Sequence, residues 1–317
     1  MRKALLAAVA AALVLAGSAQ AATVGTSFPA GFATPTDASL GTPVLGFGAA
    51  GEVTRTPVIF LHGNNDTPFP TACDPFYGDV HDVAQFFVDQ GYSPSEIWGL
   101  GYQGDQCDLV DPLVRSGPTH TTAANVPDLR AFVRVVLAFT GAKRVDIVAH
   151  SLGGTIVREW MRQDHAYHLV GRFVAIASPF HGIVNCSPNP ANYWQAPDNG
   201  GFTPNSAVCQ ELGAADTPFL RELNKGREAH GPTRTLTIRN ADSDFVYISG
   251  QDGIFPGVPA EDRNGRAWDF SLSPTLEGAQ NVALTGQGAH DIIGTGHLGI
   301  LNSPEAWRLA YDFVTAK

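Results

Sequence analysis

The sequence predicts an α/β fold with a mostly parallel central sheet and helices on both of its faces. Short apolar runs, which suit strands buried on both faces, alternate along the chain with segments of helical periodicity. The pattern is clearest over residues 145–161, where an apolar run, a sharp turn and a helical segment follow one another. Strands and helices that alternate in this order imply parallel neighbouring strands joined by right-handed crossovers.

Residues 1–21 predict a secretory signal peptide. Arg2 and Lys3 precede a run rich in Ala, Leu and Val, and the Ala-Gln-Ala sequence at 19–21 supplies the small residues of a cleavage site. The apolar run is shorter than a membrane span of about 20 residues, and no second candidate span follows. We therefore expect a protein without a transmembrane anchor that is secreted, or periplasmic, after cleavage near Ala21.

The composition is that of a globular protein with many loops. Apolar residues make up 44% of the 317 residues, and 34 glycines and 22 prolines indicate many turns. We predict an extended N-terminal arm over residues 22–52 and one domain over residues 53–317. The formal charge of −10 becomes two units more negative without the signal peptide, so we do not expect nucleic acid as a partner.

Four cysteines predict two disulfides in an oxidising compartment. They are Cys73, Cys107, Cys186 and Cys209, and the sequence alone permits three pairings. The pairs Cys73–Cys107 and Cys186–Cys209 are favoured because each brackets a loop-rich stretch. Since none of the cysteines forms a C-x-x-C pair, the sequence predicts no metal site.

Each predicted strand is an apolar run, and each predicted helix is an amphipathic segment. The strands are residues 57–61, 96–102, 145–149, 172–177, 233–239 and 281–285. The helices are residues 80–88, 126–139, the segment after Ser151, 217–225, and 304 to about 316. Pro127 suits the first turn of its helix, and Ser303 suits the N-cap of the last one.

Three stretches with little periodicity are predicted to be loop insertions: residues 64–80, 103–124 and 183–215. The last one contains Tyr193, Trp194 and Phe202. Two interpretations of it are equally compatible with the sequence. It either caps a cleft and offers aromatic surface to an apolar substrate, or it is a surface loop held by its disulfide.

Ser151 lies at the apex of the predicted strand, turn and helix in the segment Ala-His-Ser-Leu-Gly-Gly. A nucleophile in a strained bend of this kind needs small residues two positions before and two positions after it. Ala149 and Gly153 meet that requirement, although glycine is usual at the first of these positions. The alternative is a serine that only caps the helix.

The chain offers two acids and three histidines as partners for this serine. Asp242 and Asp244 both follow the strand at 233–239, and their place in the chain does not decide between them. Among the histidines, His297 is favoured over His290 because glycine precedes it and Leu298-Gly299 follows it. His181 comes only 30 positions after Ser151 and ahead of both acids, so it does not fit the order serine, acid, histidine.

Residues 57–64, 145–154 and 294–301 resemble the corresponding segments of secreted bacterial lipases of class 2, or Bacillus type, which have the α/β-hydrolase fold. The first two segments are also similar to a lipase-like extracellular poly(3-hydroxybutyrate) depolymerase. The resemblance extends in patches over residues 55–303. It implies a serine ester hydrolase that needs no cofactor.

The resemblance also implies a role for individual residues. Ser151 is expected to be the nucleophile, His297 the base, and Asp244 the acid that orients the imidazole. The backbone N–H groups of Asn64 and Leu152 are expected to form the oxyanion hole. A structural alternative for the segment before Asn64 is that His62 and Gly63 simply turn the chain.

The sequence thus predicts a secreted carboxylic-ester hydrolase that acts through an acyl-enzyme, with a lipid or another ester as its substrate. A triacylglycerol lipase is the favoured interpretation, and a depolymerase of an aliphatic polyester is the second. A hydrolase fold that binds without catalysis is the alternative from another class. We expect a monomer.

Overall fold

The computed structural model describes residues 22–189, 200–248, 259–291 and 296–316. The predicted signal peptide lies outside the described residues, as do Tyr193 and Trp194 of the third insertion. Predictions about these residues therefore stay predictions.

A seven-stranded sheet forms the centre of the described chain. Its strands are β1 (Leu45–Phe47), β2 (Val58–Leu61), β3 (Ile97–Gly101), β4 (Val145–His150), β5 (Val170–Ile176), β6 (Arg234–Asn240) and β7 (Gln280–Leu284). Their order in the sheet is β1-β3-β2-β4-β5-β6-β7. β1 is antiparallel to β3, and every other pair is parallel. The predicted mostly parallel sheet is confirmed.

Seven α-helices are present in the described residues. They are α1 (Val80–Asp89), α2 (Pro112–Arg115), α3 (Thr122–Thr140), α4 (Leu152–Asp164), α5 (Ala207–Leu212), α6 (Pro218–Leu223) and α7 (Pro304–Thr315). α3 packs on α4, and α1 packs on α7. These two helix pairs cover the sheet, whose central strands β2 and β4 are buried along their whole length. None of the helices in the described part of the chain is long and apolar enough to cross a membrane.

Besides the short helices α2 and α5, which lie in insertions predicted to be loops, two elements differ from the predictions. α3 begins at Thr122, one turn before the predicted start, because the Thr121 side chain caps it by accepting a hydrogen bond from the Ala124 N–H at 3.2 Å. Pro127 therefore lies inside the helix, and its predicted place in the first turn is wrong. The second difference is β1, a three-residue edge strand within residues 22–52 that the sequence pattern did not predict.

The two disulfides hold the three insertions. One joins Cys73 to Cys107 and so links the first insertion to the second. The other joins Cys186 to Cys209 and closes the third insertion on itself. No cysteine is free among the residues that the structure describes.

Candidate active site

Ser151 occupies a strained turn between β4 and α4. Its backbone has φ 49° and ψ −124°, a conformation that L-residues seldom adopt. The Ser151 N–H donates to the carbonyl of Ile176 at the end of β5, at 2.9 Å, which holds the turn against the sheet. The serine that the sequence placed at an apex therefore lies at the carboxyl edge of the parallel sheet, where ligands bind in open α/β folds.

The small residues around Ser151 allow three chain segments to approach closely. A Cβ atom added to Gly153 would lie 2.7 Å from the His62 carbonyl oxygen, which is inside van der Waals contact. A Cβ atom added to Gly63 would lie 3.0 Å from the Ser151 Cβ atom. The loop after β2 consequently packs directly on the serine turn.

His297 lies between Ser151 and Asp244. Its Nε2 atom is 3.0 Å from the Ser151 Oγ atom, and its Nδ1 atom is 3.0 and 3.1 Å from the two carboxylate oxygens of Asp244. An ionised carboxylate only accepts hydrogen bonds, so Nδ1 carries the proton and Nε2 is free to accept from the serine hydroxyl. Asp244 is fully buried and also accepts from the Val246 N–H at 3.1 Å.

The other candidate acid and histidines are engaged elsewhere. Asp242 accepts from the Gly286 N–H at 2.8 Å and from the Ser243 hydroxyl at 3.2 Å, which stabilises a turn. His181 hydrogen-bonds with Glu228 at 2.8 Å and with the carbonyl of Ser273 at 3.1 Å. His290 is exposed at the end of a 3-10 turn. Of the candidates, Ser151, Asp244 and His297 are the ones brought together.

Asn64 and Leu152 both line the cleft in front of Ser151. Leu152 is the first residue of α4, and the first N–H groups of a helix have no acceptor within that helix. Asn64 follows Gly63 in the loop that packs on the serine. Two backbone donors next to a hydroxyl are what an oxyanion hole requires.

The cleft is lined mainly by apolar side chains and contains about 740 Å³ of space including its open mouth. Its apolar lining includes Ile183, Phe202, Val208, Leu212, Phe245 and Leu298. Four of these six residues, Ile183, Phe202, Val208 and Leu212, belong to the third insertion. The described part of that insertion therefore forms one wall of the cleft.

Three histidines near Ser151 are held neutral by burial. Burial lowers the pKa of His62 to about 4 and that of His120 to about 3, in the second case with help from the charge of Arg115. Burial and the adjacent His297 lower the pKa of His150 well below its usual value. The His150 Nε2–H donates to the carbonyl of His297 at 3.1 Å. The sequence reasoning missed this contact, although the segment Ala-His-Ser contains the residue.

One carboxyl group of the cleft is also affected by burial. Asp66 is 3% exposed, and burial raises its pKa to about 8. Its Oδ1 atom accepts from the N–H groups of Thr67 at 2.6 Å and Gly78 at 2.9 Å. At neutral pH this side chain is consequently a neutral carboxylic acid.

One cluster in the described residues has metal-like geometry, and it consists of Cys73, Asp105 and Cys107. The two sulfur atoms are joined in a disulfide, so they do not provide the thiolates that a metal would bind.

A mostly parallel sheet with helices on both faces and a serine turn, an acid and a histidine at its carboxyl edge defines an α/β-hydrolase. The model of the class 2 lipase family matches residues 55–252, which is more than half of the chain. The chain belongs to the class 2 lipase family.

Individual relatives are more distant. Phospholipase A(1) LCAT3 of Arabidopsis thaliana is 26% identical over 109 residues, which cover 33% of this chain and 22% of that protein. This chain therefore matches about a fifth of the length of that relative.

The fold is shared by a solved lipase structure from Bacillus licheniformis. The mature form of the lipase BlEst2 of Bacillus licheniformis superposes with a TM-score of 0.52 at 17% identity, covering 84% of this chain and 95% of the lipase. Lipase B of Aspergillus fumigatus has a TM-score of 0.48 at 18% identity, covering 82% of this chain and 52% of that one.

Proposed function

We propose that the protein is a serine carboxylic-ester hydrolase in which Ser151 is the nucleophile, His297 the base and Asp244 the orienting acid. The observation that supports this most directly is the continuous chain of hydrogen bonds from the Ser151 hydroxyl through His297 to the Asp244 carboxylate. The strained turn at Ser151 supports the same assignment, because it presents the hydroxyl at the cleft.

The reaction proceeds in two acyl-transfer steps. The Ser151 Oγ atom attacks the ester carbonyl while the His297 Nε2 atom takes its proton, and the N–H groups of Asn64 and Leu152 bind the developing oxyanion. The imidazolium then protonates the departing alkoxide, which leaves an acyl-enzyme. A water molecule, deprotonated by His297, releases the acid and restores Ser151.

The substrate that the cleft fits best is an ester with an apolar acyl group, and we propose acylglycerols. The walls are apolar, and burial keeps both Asp66 and His150 uncharged around neutral pH. Among the described residues that line the cleft there is no lysine or arginine to hold an anionic head group. An aliphatic polyester has the same uncharged ester chemistry, and it is the alternative that the substrate test decides.

We further propose that the protein is exported and acts as a monomer. Two disulfides support an oxidising compartment. All residues of the proposed site come from one chain, so a single copy is sufficient for the chemistry. N-terminal sequencing of the secreted protein tests cleavage near Ala21, and sedimentation tests the oligomeric state.

Replacing Ser151 with alanine tests the mechanism. Ser151→Ala is expected to keep the fold and to lower kcat on p-nitrophenyl butyrate by at least about 10⁴-fold, because a nucleophile that acts within a triad cannot be replaced by its neighbours. A fluorophosphonate probe should label the wild-type protein on the peptide that contains Ser151 and should not label the variant. Wild-type turnover in the variant would refute the mechanism.

Asp244→Asn and Asp242→Asn form a matched pair that tests the acid. The first variant should lose most activity because the amide favours the wrong tautomer of His297, while the second should keep it.

The substrate is tested with emulsified triacylglycerol, p-nitrophenyl butyrate and amorphous poly(3-hydroxybutyrate). Fastest cleavage of the polyester would replace the acylglycerol proposal with the polyester one.

A further inference from the structure

The Asn64 side chain is bonded on both of its polar atoms. Its Oδ1 atom accepts from the Gln103 Nε2–H at 2.9 Å and from the His120 Nδ1–H at 2.7 Å, and its Nδ2–H donates to the Gly200 carbonyl at 2.9 Å. These partners fix which end of the amide is oxygen and which is nitrogen. The Gly200 carbonyl can only accept, so it faces Nδ2, and the Gln103 Nε2–H can only donate, so it faces Oδ1. The side chain has one orientation that satisfies all three bonds.

The three bonds come from parts of all three insertions. Asn64 belongs to the first insertion, Gln103 and His120 to the second, and Gly200 to the third. The second and third insertions are also in close contact, since a Cβ atom added to Gly201 would lie 2.0 Å from the Arg115 carbonyl oxygen. The insertions therefore meet at the residue proposed to supply one oxyanion donor.

Gln103 is placed for this contact by its backbone. It lies just beyond β3 with φ 66°, and its N–H donates to the Asp37 carboxylate at 2.9 Å. The side chain is fully buried, donates also to the Thr119 carbonyl at 3.0 Å, and accepts from the Asn65 N–H at 2.9 Å. Gln103 thus holds both the Asn64 side chain and the peptide group that follows it.

The peptide group that contains the Asn64 N–H is held from its other end. Its carbonyl oxygen belongs to Gly63 and accepts from the His62 Nδ1–H at 2.7 Å. In a trans peptide the C=O and N–H bonds point in opposite directions. Anchoring the Gly63 oxygen on His62 therefore directs the Asn64 N–H away from His62, provided that the Asn64 side chain keeps its position.

We propose that Gln103 and His120 are positioning residues that align the Asn64 N–H for the oxyanion by holding the Asn64 side chain. This inference rests on the proposed function of Asn64. Neither residue is among those that line the cleft. Because a pre-aligned donor contributes to catalysis only when it is in place before the oxyanion forms, loosening the side chain is expected to lower kcat more than to raise KM.

The pair His120→Phe and His120→Asn tests the inference. Phenylalanine retains the ring and loses the donor, whereas the asparagine Nδ2–H can replace the histidine Nδ1–H but leaves unfilled space. His120→Phe should lower kcat on p-nitrophenyl butyrate about 10-fold with KM nearly unchanged, and His120→Asn should recover most of kcat although it is the smaller residue. Thermal unfolding is measured for both variants.

A second readout separates alignment from general damage. A trifluoromethyl ketone forms a tetrahedral oxyanion on a serine enzyme, so its inhibition constant should rise in His120→Phe by the same factor by which kcat/KM falls. Gln103→Met should behave like His120→Phe. Asn125→Leu is the matched control, because the Asn125 side chain is buried in the same region and donates to Thr119 and Thr121 instead of Asn64. It should lower stability and leave kcat unchanged.

The outcomes distinguish this inference from the proposed function. If Ser151→Ala remains active, the proposed function fails, and the inference fails with it. If Ser151→Ala is inactive while folded His120→Phe and Gln103→Met keep wild-type kcat and inhibition constants, only the positioning role is refuted. Equal loss of kcat in His120→Phe, His120→Asn and Asn125→Leu would likewise refute it, because the loss would then follow structural damage.

Discussion

Histidines around Ser151 have different roles because they have different partners. The buried His62 and His150 use one ring nitrogen on a backbone carbonyl and are held neutral by burial. His297 is the histidine of this group that contacts a carboxylate, that of Asp244. In the proposed mechanism, the positive charge that forms during proton transfer is thus stabilised at His297 and disfavoured at the others.

The buried acid Asp66 predicts a pH dependence of stability. Burial raises its pKa from the ordinary value of 3.8 to about 8, so between about pH 4 and pH 8 the folded protein keeps a proton that the unfolded chain has lost. Its contribution to stability therefore falls as pH rises through that interval. Asp66→Asn, which keeps a neutral acceptor for Thr67 and Gly78, should gain stability relative to wild type as pH rises, by at most about 1.4 kcal/mol per pH unit.

Urea unfolding at pH 5, 6, 7 and 8 measures this difference. Asp164→Asn is the control, because the pKa of Asp164 is shifted in the opposite direction. Asp164 binds Arg130 at 2.6 Å, and this hydrogen bond lowers its pKa. Its stabilisation is present above the unfolded pKa and is lost as pH falls through the folded one, so this variant should be slightly less stable than wild type throughout the range. A stability difference for Asp66→Asn that does not change with pH would contradict the prediction.

Elements whose apolar pattern continues over the whole element were predictable from the sequence. Very short elements, and a helix start that is set by a local cap, were not. The central strands coincide with uninterrupted apolar runs, and α4 coincides with an uninterrupted helical pattern. β1 has only three residues, and one of them is Gly46, so it has no alternation to detect. It is a strand because its backbone pairs with β3, which is a tertiary effect.

The same distinction applies to the site. Chain order and small neighbouring residues favoured Ser151 and His297, and the resemblance to the lipase pattern, in which an apolar pair follows the acid, favoured Asp244 over Asp242. Gln103 and His120 were not predictable, because they lie in an insertion without periodicity and their contacts with Asn64 join residues 39 and 56 positions apart. Only the folded chain brings them together.

Close packing of α4 on the segment that follows β5 predicts that Gly154 does not tolerate a methyl group. A Cβ atom at this position would lie 2.1 Å from the Ser178 Oγ atom and 2.6 Å from the Ser178 Cβ atom. Gly154→Ala should lower the free energy of unfolding by about 1–3 kcal/mol, as overpacking does. Ser178→Gly removes both of the crowded atoms, so the double variant should recover part of the loss. This is measured by urea unfolding.

Gly25→Ala is the matched control for that experiment, because no heavy atom lies within 4 Å of the added Cβ and the backbone needs no glycine there. It should change stability by less than about 0.5 kcal/mol. If Gly154→Ala were equally neutral, or if Ser178→Gly gave no recovery, the contact between α4 and the segment that follows β5 would not limit the helix position.

The whole molecule places its chemistry at one edge of the sheet. The segments with Asn64, Ser151 and Asp244 follow β2, β4 and β6, whose carboxyl ends lie along the same edge because these strands are parallel. His297 comes from the segment after β7, the neighbour of β6. The insertions then add the cleft wall and the contacts of Asn64, so the sheet supports the groups of the proposed site and the insertions shape what surrounds them.

Since the insertions have little regular structure, their order should depend on the two disulfides. The bridges Cys73–Cys107 and Cys186–Cys209 close loops with sequence separations of 34 and 23 residues. Replacing both cysteines of either pair with alanine should lower the free energy of unfolding by about 3–4 kcal/mol, chiefly because the unfolded chain gains freedom.

The urea midpoint with and without a reducing agent measures this effect. Each double variant should remain sensitive to reduction through its other bridge, whereas the variant without any of the four cysteines should be insensitive. Because the two loops share no residues, the two losses should add to within about 0.5 kcal/mol.

An additive loss of stability with an unchanged kcat in the folded protein would mean that the bridges stabilise the insertions without aligning the site. A fall in kcat confined to the Cys73 and Cys107 variant would instead connect that bridge to the alignment of Asn64, because it joins the insertion that contains Asn64 to the one that contains Gln103 and His120.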